Sequence, residues 1–341
     1  MPAVEDADTG PETGLSVIVP CYQEGRQIEA AHAAIVRAFG DVPGLEILFI
    51  DDGSTDGTVE HMRELAAADD RVRYLSFTRN FGQAAAITAG FRYASRPWIL
   101  QLDADLQFPP EEAWILLEEA GNGYDVVFGI RRKRRDPLIR RVGAACHQWV
   151  AARLLGIELP RGISSFRVLR TPVARTLAEL RMNNSYFAAR VPLVTSRYKV
   201  VTTAHEGRAS GRSHYDFVRL AGHAFELFFG FSWRPLNAVH VLAALGVAAA
   251  VAVAAAALMS AATVLGVALA GLGLATLTLV TVAVSARYLQ RLLLDNGPLR
   301  PYYIAEANLT VSPEDTIDGG AGPVPPPRRP SGPARTPQTA R

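Results

Sequence analysis

Two cysteines, Cys21 and Cys146, are all that the 341 residues contain. No disulfide framework can hold such a chain, so its fold must come from a packed core, as in a reduced, cytosol-facing domain. Neither sign of charge is in excess: 35 Lys+Arg stand against 33 Asp+Glu, a formal net charge of +2. That balance argues against a whole-chain nucleic-acid binder, and no nucleic acid is expected as a partner. Several catalytic signatures are missing. There is no Gly-x-Gly-x-x-Gly after the first apolar run, no Walker loop, no His-Glu-x-x-His, no Cys-x-x-Cys and no Gly-x-Ser-x-Gly. Dinucleotide, nucleotide-triphosphate, zinc-protease, thiol-redox and hydrolase-elbow chemistry lose their usual sequence support. Internal repeats are absent too.

The most localised absence is of charge. From Leu236 to Ala286 there is no Asp, Glu, Lys or Arg, and His240 alone titrates near neutrality. A bilayer crossing takes about 20 helical residues, so the stretch predicts two spans, near 237–258 and 263–286, with the turn at Met259–Thr263. Gly246, Ala248, Ala249, Ala250 and Ala252 in the first span, and Gly266, Gly271 and Gly273 in the second, suit close helix approach. A buried soluble hairpin would need a partner surface over every face. Arg219 and Arg234 precede the spans and Arg287 and Arg291 follow them. The positive-inside rule then puts both ends of the hairpin, both termini and the domain before it on the cytoplasmic side of a cytoplasmic membrane.

Residues 1–14 are acidic and polar, the reverse of a positively charged signal-peptide region, and read as a disordered leader. A domain over 15–215 follows. In it the apolar runs Leu15–Val19, Leu45–Ile50, Val72–Phe77, Trp98–Leu102 and Val126–Gly129 alternate with helix-like segments Gln27–Phe39, Thr58–Ala68, Gly82–Ala94 and Pro110–Gly121. This is the pattern of an α/β fold with a mostly parallel, doubly wound, Rossmann-like sheet. Ligands of such sheets bind beyond the carboxyl ends of the strands.

Acidic clusters occupy those ends. Pro20-Cys21-Tyr22-Gln23-Glu24 follows the first run, Asp51 to Asp56 the second, and Asp103-Ala104-Asp105-Leu106-Gln107 the fourth. One such cluster commonly caps the next helix, and Ser54 and Asp56 are candidates for that plainer role. Three at one edge predict a site. Asp103 and Asp105 are spaced to face one hard cation, Mg²⁺ or Mn²⁺, which takes carboxylate oxygens and shares its sphere with water and phosphate. That cation would suit the charge of a departing nucleoside diphosphate. Arg131, with Arg132 beside it, opens a basic run through Lys133, Arg134, Arg135, Arg140 and Arg141. Arg131, with Arg132 second, is the candidate phosphate contact, and a solvated or membrane-facing basic face is the plainer account of the run.

Beyond the fifth run the pattern is less regular. A helix is expected over Leu138–Leu155 and a strand over Arg197–Thr203. Residues 216–235, with Phe217–Phe231 at their centre, are expected to form an amphipathic helix at the membrane interface, or else a core helix. A juxtamembrane segment is expected over 287–311. Residues 312–341 hold eight of the 22 prolines, with Arg328, Arg329, Arg335 and Arg341, and read as a disordered tail able to touch anionic lipid.

Several of these blocks carry a resemblance. Pro20-x-Tyr22-x-Glu24, Asp51-Asp52-Gly53-Ser54-Thr55-Asp56-Gly57-Thr58, Arg79-Asn80-Phe81-Gly82-Gln83 and Asp103-Ala104-Asp105-Leu106-Gln107-x-Pro109-Pro110-Glu111 resemble family 2 glycosyltransferases. More narrowly, they are similar to the polyprenyl-phosphate glycosyltransferases, which include dolichol-phosphate mannose synthases and the undecaprenyl-phosphate glucosyl- and 4-deoxy-4-formamidoarabinose transferases. The likeness runs on through Gly129-x-Arg131, Phe166-Arg167 and Ser213-x-Tyr215, and past the hairpin to Arg300-Pro301-Tyr302-Tyr303-Ile304. It implies a GT-A fold and inverting, metal-dependent sugar transfer from a nucleotide sugar to a polyprenyl phosphate.

The resemblance also implies residue roles. Pro20, Tyr22, Glu24, Asp51, Asp52, Gly82, Gln83 and Asp103 would bind the nucleotide sugar. Asp103, Asp105 and Gln107 would hold the metal. Arg131, Arg167, Arg212 and Tyr215 would surround the diphosphate and acceptor phosphate, with Asp103, Asp105 and Arg131 the catalytic set. One departure stands out: many relatives carry an acidic residue and a glycine shortly before Phe-Arg, where this chain has Gly162-Ile163-Ser164-Ser165. Two other readings stay open, a membrane-anchored glycosyltransferase with another lipid or glycan acceptor and an inactive membrane adaptor. A homo-oligomer is compatible with all three.

Overall fold

A computed structural model describes residues 14–131, 163–180, 187, 190–203, 234–259, 264–295 and 300–316. The expected interfacial helix, the helix over Leu138–Leu155, the basic run beyond Arg131, the hairpin turn at 260–263, the leader up to residue 13 and the tail from 317 lie outside the described residues.

The alternation read from the sequence builds one sheet. Its strands are β1 (Leu15–Cys21), β2 (Glu46–Asp51), β3 (Val72–Phe77), β4 (Trp98–Gln101), β5 (Val126–Arg131), β6 (Ile163–Arg170), β7 (Tyr198–Thr203) and β8 (Ile304–Ala307). They lie in the order β7-β5-β6-β4-β1-β2-β3-β8. β1 pairs parallel with β2 and β4, β2 with β3, and β5 with β7. β6 is antiparallel to both β4 and β5, and β8 antiparallel to β3. The sheet is therefore mostly parallel, as expected, but β4 and β5 are not neighbours. β6, absent from the sequence reading as a strand, fills the gap between them.

Helices α1 (Gln27–Phe39), α2 (Thr58–Ala68), α3 (Gln83–Tyr93), α4 (Ala113–Gly121) and α5 (Thr171–Glu179) cover the sheet. Strand alternation splits the core in two. Leu15, Val17 and Val19 join Ile28, Ile35, Phe39, Leu116 and Leu117 on one face, whereas Ile18, Leu48 and Ile50 join Ala86, Ala89 and Phe91 on the other. With helices on both faces, every residue of β1 and β2 is buried, which is why these strands read as unbroken apolar runs. α3 lies especially close: a Cβ on Gly90 would meet Ile18 and Ile50 side chains at 3.0–3.3 Å.

Two long helices follow, α6 (Arg234–Met259) and α7 (Val264–Asp295). Each contains a window long and apolar enough to cross a membrane, Leu236–Val253 and Gly271–Gln290, and these windows are 0% and 6% buried. A soluble core hairpin would be covered; this one is bare, which suits a lipid surround. The helices approach closely, since a Cβ on Gly246 would fall 2.2 Å from Leu277 Cδ2. α7 outruns its expected end, continuing through Arg287 and Arg291, because nothing in Ala286–Asp295 breaks a helix.

The segment after the hairpin does more than trail from the membrane. β8 adds to β3 at the sheet edge, and Pro313–Asp315 forms a 3₁₀ turn beyond it. Tyr302 stacks on Phe77 with ring centroids 4.9 Å apart. Buried Asp315 accepts the hydroxyls of Tyr93 at 2.6 Å and Tyr302 at 3.3 Å, with Arg92 Nε at 3.4 Å. Residues 312–316, expected to begin the tail, are thus packed.

Candidate functional site

The carboxyl ends of β1, β2 and β4 meet at one edge, as the acidic clusters required. Cys21, the last residue of β1, registers the result. Its thiol is pushed well above its ordinary pKa, first by burial and then by the negative charges of Glu24, Asp51 and Asp103. One residue from each of the three clusters therefore acts on a single atom.

Hydrogen bonds staple the first two loops together. Gln23, at φ 57, donates its backbone N–H to Ser54 Oγ at 2.9 Å and its side-chain amide to Thr55 Oγ1 at 3.0 Å. Thr58 Oγ1 accepts from the N–H groups of Glu24 and Gly25 at 3.2 and 2.9 Å. Asp56 Oδ1 accepts the Thr58 N–H at 3.2 Å, one residue ahead of the helix N-cap, which is Gly57 and not Asp56. Pro20 is buried in β1, while the Tyr22 ring is 47% exposed at the rim.

Asp51 and Asp52 face different tasks. Asp51 is fully buried and accepts from the Ser54 N–H at 3.1–3.2 Å and from Ser76 Oγ, its neighbour across β3, at 2.6 Å. Asp52 accepts from the N–H of Phe81 at 2.7 Å and of Gly82 at 2.8 Å. Burial pushes the Asp52 carboxyl above its ordinary value, against the pull of those two N–H groups. Asp52 thus fixes the entry to α3, whose first residue is Gln83. Gln83 Nε2 then reaches Asp103 Oδ1 at 3.3 Å.

The third cluster is a tight turn. The Leu106 N–H donates to the Asp103 carbonyl at 3.2 Å, with Leu106 at φ 50. Ala104 and Phe108 are buried, and Phe108 stacks on Phe166 at 4.9 Å. With Ala104 and Phe108 turned into the core, Asp103, Asp105 and Gln107 are left partly exposed. Gln107 donates its backbone N–H (3.2 Å) and its side-chain amide to Asp105, and Ser165 donates to Asp103 Oδ2. Among the described residues no group of three or more His, Cys, Asp or Glu forms a cage for a metal. Two carboxylates and an amide oxygen are nevertheless a hard, all-oxygen donor set. They fit Mg²⁺ or Mn²⁺ in the open manner that leaves positions for water and phosphate.

The arginines divide. Arg131 ends β5, its backbone opposite Thr203. Arg167 is buried in β6, donating Nε–H to Gln101 Oε1 at 2.8 Å with its guanidinium over the Phe187 ring at 3.7 Å. Arg212 and Tyr215 lie outside the described residues. Sequence reasoning missed Ser165, Gln101 and Ser76. Only the placement of β6, whose first residues start at the carboxyl edge, brings Ser165 and Arg167 to this site.

A family model described as Glycosyl transferase family 2 matches residues 16–176. An undecaprenyl-phosphate 4-deoxy-4-formamido-L-arabinose transferase of Salmonella paratyphi A is 31% identical over 246 residues, covering 70% of this chain and 73% of that protein. CsbB of Bacillus subtilis is 27% identical over 303 residues, covering 86% of this chain and 92% of its own. Among solved structures, a mannosyltransferase of Pyrobaculum calidifontis in complex with GDP-Man and Mn²⁺ gives a TM-score of 0.44 at 20% identity, over 81% of this chain and 86% of that one.

Proposed function

Because the chain belongs to glycosyltransferase family 2, we propose that it transfers a sugar from a nucleotide sugar to the phosphate of a membrane polyprenyl phosphate of undecaprenyl type. The transfer inverts the anomeric carbon and yields a lipid-linked monosaccharide for cell-envelope glycan or glycoconjugate synthesis. One observation carries the reading: the Asp103–Asp105 turn opens at the same sheet edge where the chain re-enters from its bare apolar hairpin to begin β8.

The acceptor arrives reactive. A phosphate monoester loses its second proton near pH 6, so at neutral pH the lipid phosphate is already an anionic nucleophile and no protein base is required. Pro20, Tyr22, Glu24, Asp51, Asp52, Gly82 and Gln83 form the nucleotide-sugar side of the site. Arg131, Arg167, Arg212 and Tyr215 hold the phosphates in line with the sugar–diphosphate bond, where orientation lowers the barrier. Asp103, Asp105 and Gln107 would hold Mg²⁺ or Mn²⁺, which offsets the diphosphate's charge as it departs. The flanking arginines support a cytoplasmic-membrane location with the catalytic domain and both termini in the cytoplasm.

The test is a reconstitution. Membranes containing the protein receive radiolabelled nucleotide sugars in turn, with undecaprenyl phosphate and Mg²⁺ or Mn²⁺. At least one donor yields a lipid-extractable, acid-labile sugar that disappears with chelator. Asp103→Asn removes that product while leaving the protein in the membrane. Failure of every donor would sink the reading, and a fully active Asp103→Asn would sink the metal assignment.

A further inference from the structure

The pairing of β4 with β6 sets Gln101 directly opposite Arg167. Gln101 is fully buried and Arg167 is 4% exposed. The guanidinium's only hydrogen bond among the described residues runs through Nε to Gln101 Oε1. Rings of Phe187 and Phe91 lie near it, with centroids at 3.7 and 5.9 Å. No carboxylate among the described residues pairs with it; Asp103 acts only through its field. Burial pushes the guanidinium down to about 9, which still leaves it cationic at neutral pH.

Several arginines around this sheet are matched with acids, whereas the exposed Arg73, Arg79 and Arg175 hydrogen-bond to backbone carbonyls. Arg170 and Arg197 meet Asp125, Arg63 meets Glu306, and Arg92 and Arg300 meet Glu314 and Asp315. Arg167 is the most buried of these cations and its hydrogen-bond partner among the described residues is neutral, and burying a charge without an opposite one is costly. The amide carries a second sign of incompleteness. Gln101 Nε2 is buried and has no hydrogen-bond partner, although buried donors are almost always satisfied. An unspent amide N–H and the outer edge of a guanidinium thus stand together, two residues before Asp103.

We infer that Gln101 is a positioning residue that orients Arg167 without neutralising it, reserving the buried charge for an incoming phosphate oxygen. A glutamate here would pair with the guanidinium permanently; the amide fixes its direction and leaves its charge uncommitted. The inference rests on the proposed sugar transfer. The donor diphosphate and the acceptor phosphate offer the same oxygen chemistry, and experiment separates them.

The full chain in lipid nanodiscs is titrated with UDP and with GDP, each with Mn²⁺, and separately with undecaprenyl phosphate, alongside thermal melting. Gln101→Glu melts no lower than wild type, its buried cation now having an anion, yet loses at least tenfold in affinity for one probe. Loss for a nucleotide assigns Arg167 to the donor, and loss for the lipid assigns it to the acceptor. Arg167→Met melts no lower than wild type and loses affinity for the same probe. This second variant carries the test if Gln101→Glu does not fold. Wild-type affinity for every probe in both variants overturns the inference, as does a lowered melting point in Arg167→Met with binding intact. A wild-type chain that binds none of the probes instead refutes the sugar-transfer reading beneath it.

Discussion

Ser165 donates its hydroxyl to Oδ2 of Asp103. The bond joins the start of β6 to the turn beyond β4, and with Gln83 at 3.3 Å on Oδ1 it holds the carboxylate from both sides. Groups that orient a metal-binding carboxylate, the role proposed for Asp103, change metal affinity when removed, typically by about 10- to 100-fold. Ser165→Ala should weaken Mn²⁺ binding by about tenfold, read from the manganese spin resonance signal with UDP present. The melting temperature should barely move. Unchanged Mn²⁺ affinity would show that Gln83 and the turn suffice.

Gly53 illustrates a demand of the backbone. It sits at φ +70, and a Cβ there would lie 2.4 Å from the Arg79 carbonyl carbon and 2.7 Å from its Cα. Neither atom can swing aside as a side chain would. Gly53→Ala should destabilise the catalytic domain by about 3 kcal/mol, at the upper end of the ordinary range of single substitutions. A melting temperature within a degree or two of wild type would contradict it.

Asp69 sets a pH dependence. Arg71 binds it through Nε and Nη2 at 2.9 and 2.8 Å, and His32 lies 2.9 Å away. These contacts, Arg71 foremost, hold its carboxyl well below the usual carboxylate range. A depressed pKa in the folded state stabilises the protein above the unfolded value of about 4, and the gain disappears as pH falls below it. Asp69→Asn should therefore cost about 1 kcal/mol at pH 7, after allowance for solvent screening. The gap to wild type should shrink as unfolding is measured from pH 5 towards pH 2.5. A gap that widens in acid would reverse the assignment.

Asp315 fastens the chain's return from the hairpin. Its carboxylate is 2% exposed and meets Tyr93, Tyr302, Arg92 and Arg300. Removing the carboxylate leaves the Tyr93 and Tyr302 hydroxyls without their acceptor, while the partly exposed Arg92 and Arg300 keep Glu314, a loss of about 2 kcal/mol. Asp315→Ala should accordingly lower stability by that amount. Hydrogen exchange should quicken at the Thr78 amide, which donates to the Tyr303 carbonyl at 2.9 Å, more than at β1. Equal effects on both would mean that β8 is not separately fastened.

The parts legible in the sequence are those whose chemistry is local. β1 to β5 announce themselves as apolar runs because helices cover both faces, and α1 and α2 fall where their periodicity puts them. The Asp-Ala-Asp-Leu-Gln turn is readable because its apolar residues alternate with its carboxylates. β6 hides because its buried face includes an arginine, a residue that pattern reading sends to the surface. β8 is four residues long, Ile304–Ala307, and gains its place only from the edge of β3, an assignment no local window contains. The same limit governs Asp51 and Asp52. Their position at a strand end was visible, but Ser76, Phe81 and Gly82 as donors to them required the neighbouring strand and helix entry to be in place.

β8 has a consequence of its own. Five peptide steps separate Asp295, the end of α7, from Arg300, a reach of at most about 17 Å. The catalytic sheet is thus joined to the hairpin both where the chain enters α6 and where it leaves α7. A domain on a single leash could swivel and drift in height. A domain held twice, once through its own sheet, is restrained relative to the apolar hairpin. On the proposed function, that restraint serves an acceptor carried in the membrane, which lateral diffusion brings to the site.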